Sequence, residues 1–271
     1  MFREILQKTQ TELYDYLIDK LKEKGYNNII TTAGKYEFIA AKGTIPIVLI
    51  AHLDTVFKEG NRSQMLIYHD SEQGVWWSPN GLGADDRAGV YMILQILEQT
   101  KLRPHILFTT DEESAATGAT AVCGKKDDLF GDISYIIELD RQGYRECVFY
   151  ECDNPEFEKF IEGFGFTTQS GTFTDISIIC PDWEVAGVNL SVGYIYEHSR
   201  IEHFYEAMWK DTYKKVVKML ETKCDKVWKY IPKEYDTQSD IYEKLMKIYN
   251  NSQKEKKNNG KGSNCKSSSR K

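Results

Sequence analysis

The chain lacks the features that would place it in a membrane or in an oxidising compartment. None of its 271 residues belongs to an apolar run near the roughly 18 residues that a membrane-spanning helix requires. No secretory signal pattern opens the sequence. Its six cysteines include no C-x-x-C pair, which argues against a disulfide framework and against a thiolate zinc site. We therefore expect a cytoplasmic protein with no membrane partner.

The chain also lacks the excess of positive charge that nucleic-acid binding needs. It carries 35 Lys and Arg against 41 Asp and Glu, a formal net charge of −6. With 41% apolar and 13% aromatic residues it can bury one large core. We predict a main domain over residues 1–232, a C-terminal helical extension over 233–250, and a disordered basic tail over 251–271 that is rich in Lys, Asn, Ser and Gly.

Apolar patterns of helical and strand type alternate along the chain. Helical spacing over residues 2–24 predicts an amphipathic helix, and the near-continuous apolar run over 45–53 is typical of a central buried strand. Pro104–Thr110 and Ser134–Glu138 indicate further strands. The spacing of Ser199-Arg200-Ile201-Glu202 is that of a capping box, which predicts a helix from there to about Lys223. We predict an α/β fold in three layers, a mixed β-sheet flanked by helices.

Five short polar segments accompany these elements, most of them directly after a strand. They are Ala51–Asp54, Gly83–Arg87, Thr110–Glu113, Glu138–Asp140 and Glu197–Ser199. In open α/β sheets, ligands gather beyond the carboxyl ends of the strands, so these segments are expected at one edge. Each segment alone is also typical of a hydrogen-bonded pair on the surface, a helix cap or a solvent-exposed pair of acidic residues. Their combination supplies two imidazoles and three carboxylates, a donor set that suits Zn²⁺ and admits Mn²⁺ or Co²⁺.

The same segments resemble the co-catalytic zinc exopeptidases of clan MH, over roughly residues 45–205. That superfamily includes leucyl-type and glutamyl aminopeptidases, peptidase T-like tripeptidases, carboxypeptidases and amino-acylases. The resemblance implies two metal ions and the zinc-dependent exopeptidase fold, here as a single catalytic domain without the inserted lid domain that some members carry. One ion would be held by His52, Asp85 and Asp140. The other would be held by Asp85, Glu113 and His198, with Asp85 as the bridge.

The resemblance also assigns roles to the neighbours of these ligands. Glu112 would be the general base that takes a proton from the attacking water. Asp54 would support His52 by accepting the second ring N–H of the imidazole. The family carries a cis peptide bond after its bridging aspartate, which would here be Asp85–Asp86.

The implied reaction is hydrolysis of a peptide or amide bond, and we expect an aminopeptidase that acts on short peptides or amino-acid amides. Glu138 or Asp175 is a candidate to receive an α-ammonium group, although Asp175 is equally a candidate helix N-cap. Arg200 or Arg141 could hold a carboxylate, as a carboxypeptidase or an N-acyl-amino-acid amidohydrolase would require.

These enzymatic alternatives stay open on sequence grounds. A further possibility is a non-catalytic descendant of the fold that serves in binding or assembly. This is disfavoured because the chain keeps all six proposed groups, namely the five metal ligands and the base Glu112. The preferred side chain, the physiological metal, the oligomeric state and the role of the basic tail are not fixed by the sequence.

Overall fold

The computed structural model describes residues 1–32, 37–57, 60 and 62–234. Met1–Pro232 form one compact unit, and Lys233–Lys271 form a second. Apart from two residues, the helix predicted over 233–250 and the tail predicted over 251–271 lie outside the described residues. Within those described ranges, no helix is both long enough and apolar enough to cross a membrane.

Two β-sheets organise the main unit. The strands are β1 (Ile29–Thr31), β2 (Phe38–Ala41), β3 (Ile45–His52), β4 (Tyr68–Asp70), β5 (Val75–Trp77), β6 (Pro104–Thr109), β7 (Tyr135–Arg141), β8 (Glu146–Val148), β9 (Thr167–Thr168), β10 (Gly187–Ser191), β11 (Tyr194–Ile195) and β12 (His203–Tyr205). The larger sheet has the order β1-β2-β6-β3-β7-β10-β8-β9, and the smaller has the order β11-β12-β5-β4. The central strands β6, β3, β7 and β10 run parallel, whereas β2 pairs antiparallel with β6 and β8 pairs antiparallel with β10.

Helices cover both faces of the larger sheet. They are α1 (Phe2–Leu6), α2 (Gln10–Glu23), α3 (Ala84–Gln99), α4 (Glu112–Ala115), α5 (Thr117–Ala121), α6 (Lys126–Leu129), α7 (Pro155–Glu162), α8 (Ile176–Trp183) and α9 (Glu206–Glu221). Successive residues of β3 point to opposite faces. Leu49 joins the apolar cluster under α1, α2, α3, α7 and α9, while Val48 and Ile50 join the cluster under α5, α6 and α8. The predicted three-layer arrangement of a mixed sheet between helices is confirmed.

The amphipathic N-terminal segment is two helices and not one. Thr9 is the N-cap of α2, and its hydroxyl accepts a hydrogen bond from the backbone N–H of Glu12. The Glu12 carboxylate in turn accepts from the Thr9 backbone N–H at 2.8 Å. This capping box starts a new helix because it satisfies donors that a continuous helix would have bonded internally.

The predicted start of the last helix at Ser199 is wrong, although a helix does run over most of the predicted range. The segment after Ser199 leads into strand β12, and α9 begins only at Glu206. Ser199 donates its hydroxyl hydrogen bond to the backbone carbonyl of Tyr196, and the Glu202 side chain is fully buried against the backbone of residues 83–85. The residue types of a capping box are present, but tertiary contacts use them differently.

Candidate metal centre

Polar side chains meet at the carboxyl ends of the central parallel strands. His52 is the last residue of β3, and Asp140 lies near the end of β7. Glu113 follows β6 in the short helix α4. Because β6, β3 and β7 are neighbours in the sheet, their carboxyl ends share one edge. Asp85 in the first turn of α3 and His198 after β11 complete the group.

The five side chains form two overlapping trios. In the first, the Nε2 atom of His52 lies 3.0 Å from Asp85 Oδ1 and 3.5 Å from Asp140 Oδ1. In the second, the Nε2 atom of His198 lies 2.9 Å from Glu113 Oε2 and 3.2 Å from Asp85 Oδ2. The candidate ligand atoms of each trio lie within 4.8 Å of one another. Asp85 presents one oxygen to each histidine, which is the geometry of a bridging carboxylate.

The donor set fits a pair of divalent cations. The Oε1 atom of Glu113 is buried and has no hydrogen-bond partner among the described residues, so an unmet acceptor lies within the second trio. Burial raises the pKa of Glu113 to about 7, and the Asp85 charge adds to the effect. Burial likewise raises the pKa of Asp140 to about 6. Cations bound among these groups would offset the penalty, because a metal ion reverses the local electrostatics.

Asp54 lies behind the first trio and connects it to α4. Its Oδ1 atom is 3.1 Å from His52 Nδ1, which leaves His52 Nε2 directed at Asp85 and Asp140. The two Asp54 oxygens also accept hydrogen bonds from the backbone N–H groups of Glu112 and Glu113, each at 3.0 Å. Asp54 thus fixes both the orientation of an imidazole and the start of α4. The peptide bond Asp85–Asp86 is cis, as the resemblance implied.

Glu112 belongs to neither trio but lines the same cleft. The cleft has a volume of about 170 Å³, and Asp85, Asp140 and His198 form part of its wall with Glu112. Burial raises the pKa of Glu112 to about 8, against the opposing influence of His52. A carboxyl group beside candidate metal ligands, with a pKa displaced toward neutrality, has the properties of a proton carrier.

Three of the four candidate substrate-binding residues, Glu138, Asp175 and Arg200, do not line this cleft. Glu138 and Asp175 are each only 1% exposed and are absent from the cleft wall. Asp175 accepts a hydrogen bond from the Thr109 hydroxyl, and it precedes α8 without capping the helix through its side chain. Arg200 lines a separate hollow of about 620 Å³. Glu138 lies two residues before Asp140 on β7, so the two side chains share a face of the strand, but Glu138 is buried and does not line the cleft. Arg141 does line the cleft.

Sequence reasoning missed two residues that hold the ligands in place. The Glu202 carboxylate accepts hydrogen bonds from the backbone N–H groups of Gly83 and Asp85, at 2.5 Å and 3.0 Å. The Asn189 side chain, on the neighbouring strand β10, accepts from the Asp140 N–H at 2.9 Å and donates to the Asp140 carbonyl at 2.8 Å. Glu202 directly precedes β12 and Asn189 is the middle residue of β10, positions that many polar residues share, so no sequence signal is specific to this role.

The Asp140 carboxylate is held by two further side chains. The Tyr194 hydroxyl donates to Asp140 Oδ1 at 3.1 Å, and the Thr174 hydroxyl donates to Asp140 Oδ2 at 3.0 Å. Tyr194 is buried, at 2% exposure. The candidate ligand therefore has its backbone and both carboxylate oxygens fixed by neighbouring elements, which is the support that a preorganised metal site requires.

The sequence matches the model of one protein family. The description of that family is peptidase family M20/M25/M40, and the match extends over residues 48–262. No curated protein matches the chain.

Solved structures share the fold at low sequence identity. A tripeptidase from Staphylococcus aureus is 15% identical, with a TM-score of 0.65 over 81% of this chain and 96% of that one. The aminopeptidase PepT from Bacillus cereus is 16% identical, with a TM-score of 0.65 and the same coverage. A glutaminyl cyclase from Porphyromonas gingivalis is 15% identical, with a TM-score of 0.58 over 81% of this chain and 94% of that one. The fold alone therefore hosts more than one chemistry.

Proposed function

This chain belongs to peptidase family M20/M25/M40, and on that premise we propose that it is a two-metal aminopeptidase acting on short peptides or amino-acid amides. The observation that carries the proposal is the pair of trios that share Asp85, with Glu112 facing the same cleft. Zinc suits the donors best, and Mn²⁺ or Co²⁺ would also be accepted.

The roles of the side chains follow from their positions. When bound, two divalent ions would lower the pKa of a water molecule and polarise the scissile carbonyl. His52, Asp85 and Asp140 would hold one ion, and Asp85, Glu113 and His198 the other. Glu112 takes the proton of the attacking water and returns it to the leaving amine, which makes it general base and then general acid. Asp54 keeps His52 in the tautomer that presents Nε2.

The charges of the cleft support recognition of a free amine. Besides the candidate ligands, its wall carries the carboxylates of Glu112 and Glu197 and a single guanidinium, that of Arg141. A cationic substrate terminus suits such a wall better than an anionic one. The volume of about 170 Å³ is below the range of about 300–1,000 Å³ that small-molecule pockets usually have, so the cleft suits one residue and not a long peptide.

Arg141 supports the one alternative that we retain. A guanidinium in the cleft could bind a substrate carboxylate, as a carboxypeptidase or an N-acyl-amino-acid amidohydrolase would need. The two functions differ in which end of the substrate must be free.

The decisive experiment compares blocked and unblocked substrates. Chelated protein is reloaded with Zn²⁺, Mn²⁺ or Co²⁺ and assayed on amino-acid anilides and dipeptides, each with a free or an N-acetylated amine. We expect the free amines to be hydrolysed about 10-fold faster or more, since one charge-assisted hydrogen bond is lost on acetylation. Faster cleavage of the acetylated series would support the alternative. Absence of turnover with every metal and substrate would indicate a non-catalytic member of the family.

A further inference from the structure

The wall of the cleft beyond the candidate metal ligands contains a small polar group of its own. It consists of Arg141, Gln142 and Glu197. Arg141 and Gln142 follow Asp140 in the chain, whereas Glu197 directly precedes His198. Each trio of candidate ligands therefore has a residue of this group next to it in the chain, and the group shares the cleft wall with Asp85, Asp140 and His198.

Glu197 is oriented by Gln142. The Gln142 side-chain amide donates to Glu197 Oε1 at 2.7 Å, and its own oxygen accepts from the Tyr196 backbone N–H at 3.3 Å. The amide is thus fixed at both ends. Since both hydrogen bonds connect the segment after β7 to the segment after β11, the Glu197 carboxylate has a defined position at the cleft.

The second oxygen of Glu197 lacks a donor. Among the described residues nothing donates to Glu197 Oε2, which is shielded from bulk solvent. A shielded acceptor without a donor is costly, and the cost is relieved when a donor enters the cleft. The carboxylates of Asp85, Asp140 and Glu113 would be neutralised by the metal ions that they hold. Glu197 is in neither trio, so its negative charge would remain.

We propose that Glu197, oriented by Gln142, receives the α-ammonium group of the substrate. This inference rests on the proposed aminopeptidase function and names the residue that makes a free amine necessary. An ammonium supplies up to three N–H donors and a positive charge, which match an unpartnered carboxylate oxygen. An acylated nitrogen carries no charge and one N–H at most, so it gains much less from the same contact.

Arg141 provides the contrasting case. Its guanidinium donates to the backbone carbonyl of Ser170 at 3.2 Å, which ties it to the loop that leads to Thr174. If the cleft selected substrates by a terminal carboxylate, Arg141 and not Glu197 would control the selectivity. Variants of the two residues therefore separate the proposal from its competitor.

The test uses alanyl-p-nitroanilide and N-acetylalanyl-p-nitroanilide, neither of which has a carboxylate. Glu197→Gln keeps the shape and removes the charge. We expect it to raise KM for the unblocked anilide about 10- to 100-fold with little change in kcat, in metal content or in the rate on the acetylated anilide. Gln142→Leu should act in the same direction with a smaller effect. Glu72→Gln, an exposed change in the turn after β4, is the matched control and should leave all values unchanged.

Binding supplies a readout that does not depend on turnover. Titration calorimetry should show that alaninamide binds the metal-loaded wild type. The affinity should fall about 10-fold or more in Glu197→Gln and should be unchanged in Arg141→Lys. Unchanged alaninamide affinity in Glu197→Gln would overturn the inference, as would a loss confined to Arg141→Lys. If the wild type binds alaninamide through Glu197 but hydrolyses no substrate, the inference stands and the proposed function fails.

Discussion

The carboxylate of Glu202 accepts a hydrogen bond from the backbone N–H of Asp85 at 3.0 Å, although 117 positions separate the two residues. Its other oxygen accepts from the N–H of Gly83, two residues earlier. Glu202 directly precedes β12 of the smaller sheet. Its contacts therefore fix the backbone around Asp85, the candidate bridging ligand, to the start of that strand. Glu202 is a positioning residue, because it acts on the backbone of a candidate ligand and lines neither the cleft nor a trio.

Replacing Glu202 by Gln should weaken metal binding. The substitution replaces one carboxylate oxygen by an amide NH₂ group, which cannot accept a hydrogen bond. One of the two bonds from the Gly83 and Asp85 backbone N–H groups is therefore lost. Loss of such outer support commonly lowers metal affinity about 10- to 100-fold, and we expect a loss in that range. Competition with a chromogenic chelator measures it. Glu206→Gln is the control, since Glu206 accepts from Trp76 Nε1 at 3.0 Å and lies outside both trios. Equal affinity in both variants would remove Glu202 from the site.

Glu112→Gln and Glu113→Gln should fail in different ways. Glu112→Gln should retain close to two metal ions per chain and lose about 10²- to 10⁴-fold in rate, the usual contribution of a positioned acid–base group. Glu113→Gln should instead lose metal, because its carboxylate lies 2.9 Å from His198 in the second trio. Elemental analysis beside steady-state kinetics separates the cases. The opposite pattern would mean that the two roles are exchanged.

Metal loading should stabilise the fold. The two trios together contain three carboxylates and two imidazoles. Metal ions that bind the folded chain but not the unfolded chain raise the free energy of unfolding. At a free metal concentration of about 100 times the dissociation constant, the gain should be about 2.7 kcal/mol. Thermal unfolding with graded Zn²⁺ after chelation measures it. A midpoint that does not rise with Zn²⁺ in the wild type, or that rises equally in Asp85→Asn, would contradict the assignment.

His105 should contribute to acid sensitivity, away from the metal centre. Burial lowers the pKa of His105 to about 4, and the Lys42 charge adds to this. Its Nδ1 atom accepts from the Gly43 N–H at 3.0 Å, which needs the neutral ring. Because the unfolded chain binds a proton near pH 6.5 and the folded one only near pH 4, stability is full above pH 6.5 and falls as the pH drops through this window.

The contribution of His105 should amount to about 1–3 kcal/mol between pH 7 and pH 4. Urea unfolding of the wild type and His105→Gln across that range measures it. The variant should be less stable at pH 7 and should lose less on acidification. Parallel pH profiles for the two proteins would show that His105 does not titrate in this way.

Sequence patterns were sufficient where the signal was local. His52, Glu113 and Asp140 each follow an apolar run, and the ends of parallel strands share an edge, so their meeting could be expected. The near-continuous apolar run over 45–53 likewise predicted the central buried strand β3. In the same way, the resemblance of the five segments predicted which α/β architecture the chain adopts.

The rest depended on partners distant in sequence. The pattern from Ser199 to Glu202 has capping-box residue types, yet Glu202 binds Asp85, and β12 pairs with Val75–Trp77 of β5. Helix spacing cannot report a partner that lies over a hundred residues away. The burial of Glu138 likewise comes from the strands on either side of β7 and from the helices that cover it, and its contact with substrate stays a prediction.

The centre draws on both sheets, so neither sheet can form it alone. His52 and Asp140 belong to the larger sheet, while His198 follows β11 of the smaller one. A polypeptide that ends before β11 lacks both the His198 donor and the Glu202 anchor of Asp85. Such a fragment could fold its larger sheet and still hold only the His52 trio, with Asp85 unsupported.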